Sequence, residues 1–102
     1  MTLYTVRQTQ VFQAWLDGLK NRRVQVRIAA RLRQIEFGNL GDLKSVGGGV
    51  SELRVNFGPG YRLYFTRRRN EIIIMLAGGD KSSQSRDIKR AQRTASELES
   101  DI

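Results

Sequence analysis

The stretch that decides the fold reads Val50-Ser51-Glu52-Leu53-Arg54-Val55-Asn56-Phe57-Gly58-Pro59-Gly60-Tyr61-Arg62-Leu63-Tyr64-Phe65-Thr66. In its first half, apolar Val50, Leu53, Val55 and Phe57 are interleaved with Glu52, Arg54 and Asn56. After the glycines, Leu63 and Phe65 alternate with Arg62, Tyr64 and Thr66. Successive side chains of a strand point to opposite faces, so both halves read as strands. Gly58-Pro59-Gly60 supplies the turn between them. One face of the hairpin is apolar. The other carries Glu52, Arg54, Asn56, Arg62, Tyr64 and Thr66, with cross-strand neighbours about 5 Å apart.

Residues 67–70 form a second, basic turn, followed by Ile72-Ile73-Ile74-Met75-Leu76-Ala77. That run does not alternate, which predicts an inner strand covered on both faces. Residues 42–46 predict an edge strand before Gly47-Gly48-Gly49, and residues 3–6 a first strand. Between those two lie helical spacings. Val11, Phe12, Trp15, Leu16 and Leu19 form one apolar stripe behind Thr9, a good N-cap. Ile28, Leu32 and Ile35, with Ala29 beside them, form another behind Asn21. Gly38 suits the left-handed cap that ends this second helix. Its remaining surface is crowded with Arg22, Arg23, Arg27, Arg31 and Arg33. A last helix, capped by Ser82 or Ser83 with Asp87 in its first turn, aligns Ile88, Ala91, Ala95 and Leu98. Its acidic end reads as frayed.

The fold class that follows is α+β. An N-terminal helical hairpin and a C-terminal helix pack on one face of a small antiparallel sheet, leaving the polar face opposite. With 102 residues the chain affords one core, so residues 1–102 make a single domain. There is no cysteine and no histidine. Disulfide scaffolds, thiolate metal sites, Cys nucleophiles and His-dependent triads are thereby excluded. No segment approaches the run of about 18–20 apolar residues that spans a membrane, and the N-terminus lacks a signal-peptide core. A cytoplasmic protein is expected. Net charge is +8, and residues 1–96 hold 18 basic against 7 acidic side chains. Such an excess points to a polyanionic partner, most often nucleic acid.

The glycine-rich segments fail as nucleotide motifs. In Gly78-Gly79-Asp80-Lys81-Ser82 a carboxylate separates glycine from lysine, and Ile74 stands where a P-loop needs glycine. Gly58-Pro59-Gly60 meets Leu63 instead of a third glycine, and Gly47-Gly48-Gly49 meets Glu52. All three are expected to be turns. No metal site and no cofactor are expected, since nothing makes Asp42, Glu52, Glu71, Asp80 and Asp87 converge.

What remains is the polar face of the hairpin, with Lys81 where the chain leaves the sheet and Lys44 on the edge strand. An ordinary solvated face, with Glu52 pairing to Arg62, would use the same residues. The chemistry on offer is phosphate recognition. RNA carries its own nucleophile, the 2′-OH, so cleavage needs alignment of that oxygen and cations on the phosphate. Arginine holds phosphate bidentately. Without histidine the base is a tyrosine, a lysine or a carboxylate, which predicts a slow nuclease or one that relies on another surface.

Together, Val50-Ser51-Glu52-Leu53-Arg54-Val55, Gly58-Pro59-Gly60-Tyr61-Arg62-Leu63-Tyr64-Phe65, Gly78-Gly79-Asp80-Lys81-Ser82-Ser83-Gln84 and Asp87-Ile88 resemble the addiction-module killer proteins. These form the phage Gp49-like branch of the RelE/HigB superfamily of type II toxin–antitoxin systems. The resemblance spans nearly the whole chain, including Trp15-Leu16 and the arginine-rich helix.

It implies a RelE-like fold and a toxin that cleaves mRNA in the ribosomal A site, neutralised by a small antitoxin that often carries a helix-turn-helix DNA-binding domain. Arg62 matches the superfamily's phosphate-stabilising arginine, and Arg54 resembles the basic residue of the preceding strand. Lys81 falls where a second cation usually sits. The C-terminal tyrosine of some relatives has no match here, and Tyr64 stands in as the stacking aromatic. Arg23, Arg27 and Arg31, with Lys44, are the expected contacts to ribosomal RNA, and such docking is salt-dependent. Two other readings keep the same architecture: a non-enzymatic inhibitor of DNA gyrase like the ParE toxins, and a basic binding module without catalysis.

Overall fold

The computed structural model describes residues 3–100; Asp101 of the acidic end lies outside them. The elements run β1 (Thr5–Gln8), α1 (Gln10–Asp17), α2 (Arg22–Glu36), β2 (Leu43–Gly47), β3 (Val50–Val55), β4 (Tyr61–Arg68) and β5 (Ile72–Asp80). A 3₁₀ turn (Lys81–Ser83) and α3 (Gln84–Ser100) follow. The strands form one sheet in the order β1-β5-β4-β3-β2. The α+β class and every expected element are present. The acidic end is helical backbone as far as Ser100, not frayed chain.

Local chemistry explains the boundaries. Thr9 caps α1, its hydroxyl accepting from the Phe12 N–H at 3.2 Å. Asn21 does the same for α2 through the Arg23 N–H at 2.9 Å. At the end of α2, Gly38 takes φ 90°. The Asn39 N–H then reaches Gln34 O and the Gly38 N–H reaches Ile35 O, both at 2.9 Å, the paired bonds of a Schellman cap.

The sheet departs from the expected pattern in two ways. β2, β3, β4 and β5 are antiparallel neighbours, but β1 pairs β5 in parallel, with Thr5 opposite Ile72 and Gln8 opposite Met75. A parallel neighbour needs a long crossover, which the helices and the meander provide. The second departure matters more: helices cover both faces. Phe12 of α1 and Val24, Ile28, Leu32 and Ile35 of α2 bury against Leu53, Val55, Leu63, Phe65, Ile73 and Met75. On the other face, Ala91 and Ala95 of α3 pack on Val50, Tyr64, Leu76 and Ala77.

A register shift makes the second core possible. Tyr64 pairs with Ala77 but Phe65 pairs with Met75, so Leu76 is the extra residue of a bulge. The bulge turns Leu76 towards α3 beside Ala77. The supposedly solvated polar face therefore has an apolar middle, and α3 lies across it. Glu52, Tyr64 and Thr66 are at most 1% exposed.

Gly78-Gly79 is likewise strand, not turn. A Cβ on Gly78 would lie 2.3 Å from the Trp15 ring, and one on Gly79 would lie 2.0 Å from Asp87 Oδ2. The two glycines let α1 and α3 approach the same strand from opposite sides.

Candidate active site

The sheet ends where β3 and β4 turn and β5 leaves into the 3₁₀ segment. Arg54 and Arg62 face each other across β3 and β4, and Arg62 pairs on its other side with Gly79. Lys81 follows Asp80, the residue opposite Tyr61. The three cations line one cleft of about 180 Å³, together with Asn56, Pro59, Gly60 and Tyr61. Among the described residues lining it there is no carboxylate.

Each wall has an identifiable support. Asp80 caps the turn that carries Lys81, accepting from the Ser82 N–H at 2.8 Å and the Ser82 hydroxyl at 2.5 Å. Those bonds, the hydroxyl's first, hold the Asp80 carboxyl below its usual range. This aspartate caps the 3₁₀ turn, while Ser83, the residue before α3, donates its hydroxyl to Asp87 Oδ2 in that helix's first turn. Tyr61 meets Trp15 edge-on at 6.3 Å between centroids, and Trp15 in turn meets Phe12 at 5.6 Å. An aromatic ladder thus runs from the first core to the cleft.

Behind the cleft lies Glu52, 1% exposed. Its Oε1 is 3.6 Å from Arg62 Nε and 3.7 Å from Arg54 Nε. Its Oε2 accepts from Gln84 Nε2 at 2.8 Å. The Arg62 side chain is 14% exposed and that of Arg54 47%. The Oε1 contacts are ion pairs longer than a hydrogen bond, and both Oε1 and the Arg62 Nε are buried without a hydrogen-bond partner. A guanidinium so paired at Nε keeps its terminal nitrogens for another anion.

Of the residues singled out in the sequence, Arg54, Arg62 and Lys81 are brought together. Tyr64 is not. It lies under α3, fully buried, and cannot stack on a nucleotide. Burial, followed by the charges of Glu52 and Asp87, pushes its phenol well above the ordinary range, so it is no base either. Tyr61 is the aromatic of the cleft. At the start of β4 it packs against the first core, as Leu63 does, and also reaches the lining of the cleft.

The expected docking residues also separate. Arg23 and Arg27 are exposed and, with Arg22, Val26 and Phe57, line a groove of about 490 Å³. Arg27 sits 4.7 Å over the Phe57 ring. Phe57 follows β3 into the turn that walls the cleft, so the two sites share one loop. Arg31 departs from expectation. Its guanidinium donates to Asn39 O at 2.9 Å, Leu40 O at 2.7 Å and Gln34 Oε1 at 3.1 Å. It ties down the loop after α2. Lys44 is exposed on the edge strand opposite Glu52 and does not line the cleft.

Comparison with known proteins gives the family and the fold. Residues 14–98 match the phage-derived Gp49-like protein family. The chain belongs to that family. A Haemophilus influenzae relative named only "Uncharacterized protein" is 46% identical over 93 residues, covering 91% of this chain and 94% of that one. Among solved structures, a double-arginine variant of the E. coli toxin RelE in its free state superposes with a TM-score of 0.65. That match covers 88% of this chain and 98% of that one, at 14% identity. This Gp49-like chain therefore has the RelE fold, as its hairpin and glycine-rich motifs imply.

Proposed function

We propose that the chain is the toxin of a type II toxin–antitoxin pair and a ribosome-dependent mRNA endonuclease. The observation that carries this reading is the convergence of Arg54, Arg62 and Lys81 on one cleft with no carboxylate in its lining. Three cations at one point cost electrostatic repulsion that a bound phosphate removes.

In the proposed reaction the 2′-oxygen attacks the adjacent phosphorus. The O2′–P bond forms as the P–O5′ bond breaks, giving a 2′,3′-cyclic phosphate and a free 5′-OH. The 2′ proton goes to a base and O5′ takes one up. Arg62 and Arg54 hold the non-bridging oxygens as charge accumulates, with Lys81 closing the third side. Tyr61 takes the stacking role that Tyr64 cannot perform, and Tyr61 and Lys81 are the cleft groups able to exchange the proton. No metal or cofactor enters, since the nucleophile belongs to the substrate. Arg23 and Arg27 dock on ribosomal RNA. A cognate antitoxin, of the helix-turn-helix type the resemblance implies, restrains the toxin in the cytoplasm.

The test is end-mapping of mRNA on programmed, purified ribosomes, comparing wild type with an Arg62→Ala, Lys81→Ala double variant. Cuts confined to the A-site codon, dependent on the ribosome and absent in the variant, are expected. Intact mRNA with protein in excess over ribosomes would overturn the reading and make DNA gyrase the next target to assay.

A further inference from the structure

Glu52 is the most deeply buried charged side chain among the described residues. A carboxylate at 1% exposure has lost its water, and burying a charge is costly unless it is paired and hydrogen-bonded. It stands opposite Tyr64 of β4, on the face that α3 covers. Removing one partner of a buried ion pair leaves the other uncompensated, so this carboxylate is bound up with the cations it faces. Its partners show what it serves. Oε1 sits between the Nε atoms of Arg62 and Arg54, at 3.6 and 3.7 Å. Oε2 is fixed by Gln84 Nε2 at 2.8 Å, from the first residue of α3.

We infer that Glu52 is a positioning residue: held by Gln84, it anchors the Nε ends of Arg62 and Arg54 so that their terminal nitrogens face the cleft. The inference rests on the nuclease reading for its consequence, but the anchoring itself is a property of the free protein. Glu52 does not line the cleft, so it acts through the arginines and touches no substrate. A single carboxylate oxygen between two guanidiniums also offsets their mutual repulsion before RNA arrives. Gln84 makes the first turn of α3 part of the site's support.

The experiment uses the full chain with Glu52→Gln, Glu52→Leu and Gln84→Leu. Arginine ¹H–¹⁵N Nε spectra of the free protein are recorded beside single-turnover cleavage on programmed ribosomes. Wild type is expected to show a slowly exchanging Nε–H signal from the buried Arg62 Nε and a faster one from Arg54 shifted by the nearby carboxylate, assigned through Arg62→Lys and Arg54→Lys, and both variants at position 52 to move both. Glu52→Leu strands the Arg62 guanidinium and lowers the melting temperature, whereas the isosteric Glu52→Gln melts closer to wild type. Below melting, the single-turnover rate of both falls about 100-fold, the scale on which a 1 Å misplacement acts, with half-saturation nearly unchanged. Gln84→Leu gives a smaller loss of the same kind. If Glu52→Gln leaves both Nε–H signals in place, or cleaves like wild type, the inference is overturned. If wild type itself does not cleave, the nuclease reading fails while the Nε spectra still decide the anchoring. Unfolding of Glu52→Leu and Glu52→Gln alike would show a merely structural carboxylate and also overturn it.

Discussion

The two faces of the sheet are built on different principles. Under α1 and α2, large apolar side chains such as Phe12, Ile28, Ile35, Leu53, Leu63 and Ile73 are sealed from water. Under α3 a smaller cluster of Val50, Tyr64, Leu76 and alanines is joined by polar ties. Gln84 binds Glu52, Gln92 Nε2 donates to Val46 O at 3.0 Å, and Arg68 Nη2 donates to Ala95 O at 3.1 Å. The first face is where stability is made. The second carries buried polar groups whose geometry serves the cleft at its end.

That contrast predicts unequal responses to mutation. Phe12→Ala removes a fully buried ring from the first core, with a loss of about 3–5 kcal/mol expected in urea unfolding. A loss under 1 kcal/mol would mean that this face is not the stabilising one. Gly79→Ala probes the second face: its Cβ would press on Asp87 Oδ2 and the Ser83 hydroxyl, so the start of α3 or these side chains must give way. A loss of about 1–3 kcal/mol is expected, with cleavage falling further than stability because α3 carries Gln84.

Arginines divide along the same line. Arg31→Ala should destabilise by about 1–2 kcal/mol, since it frees the Asn39 and Leu40 carbonyls, and leave ribosome binding unchanged. Arg27→Ala should do the opposite, weakening ribosome sedimentation in a way that fades as salt is raised. If Arg31→Ala weakened ribosome binding in a fully folded protein, Arg31 would regain its expected docking role.

The smallest effect concerns pH. The Tyr64 phenol is raised in the folded state above its ordinary value of 10.0, whereas in the unfolded chain it titrates near that value. Above about pH 10 the unfolded state therefore binds fewer protons than the native one, and stability falls as pH rises. Alkaline difference spectroscopy should show one late-titrating phenol in the native protein, lost in Tyr64→Phe, with the alkaline slope of stability reduced in that variant.

Much of this was legible in the residues, and what was not has physical causes. The hairpin, both N-caps at Thr9 and Asn21, and the cap at Gly38 follow from local chemistry, and each stands where it was expected. The three cations came together because strand pairing and a turn position them, which period and spacing can reveal. The second helix layer was hidden because alternation measures local polarity, whereas a bulge at Leu76 and two alanines on α3 decide what covers a face. The unbroken run of residues 72–77 was the available sign that both faces are covered. Tyr64 was misplaced for that reason. Arg31 could not be told from Arg23 and Arg27 by type, since only the loop folded back on α2 gives it carbonyls. Tyr61 shares the first core's face with Leu63, and only its place at the strand's end brings it into the cleft lining as well.

The most direct test sets the cleft against the buried face in one assay: A-site mRNA cleavage by Arg62→Ala and Tyr64→Phe beside wild type. Loss of a preorganised cation should lower the rate by about 100- to 1,000-fold, while removal of the buried hydroxyl should leave it within about twofold. Near-normal cleavage by Arg62→Ala, or a collapse in a folded Tyr64→Phe, would contradict the account.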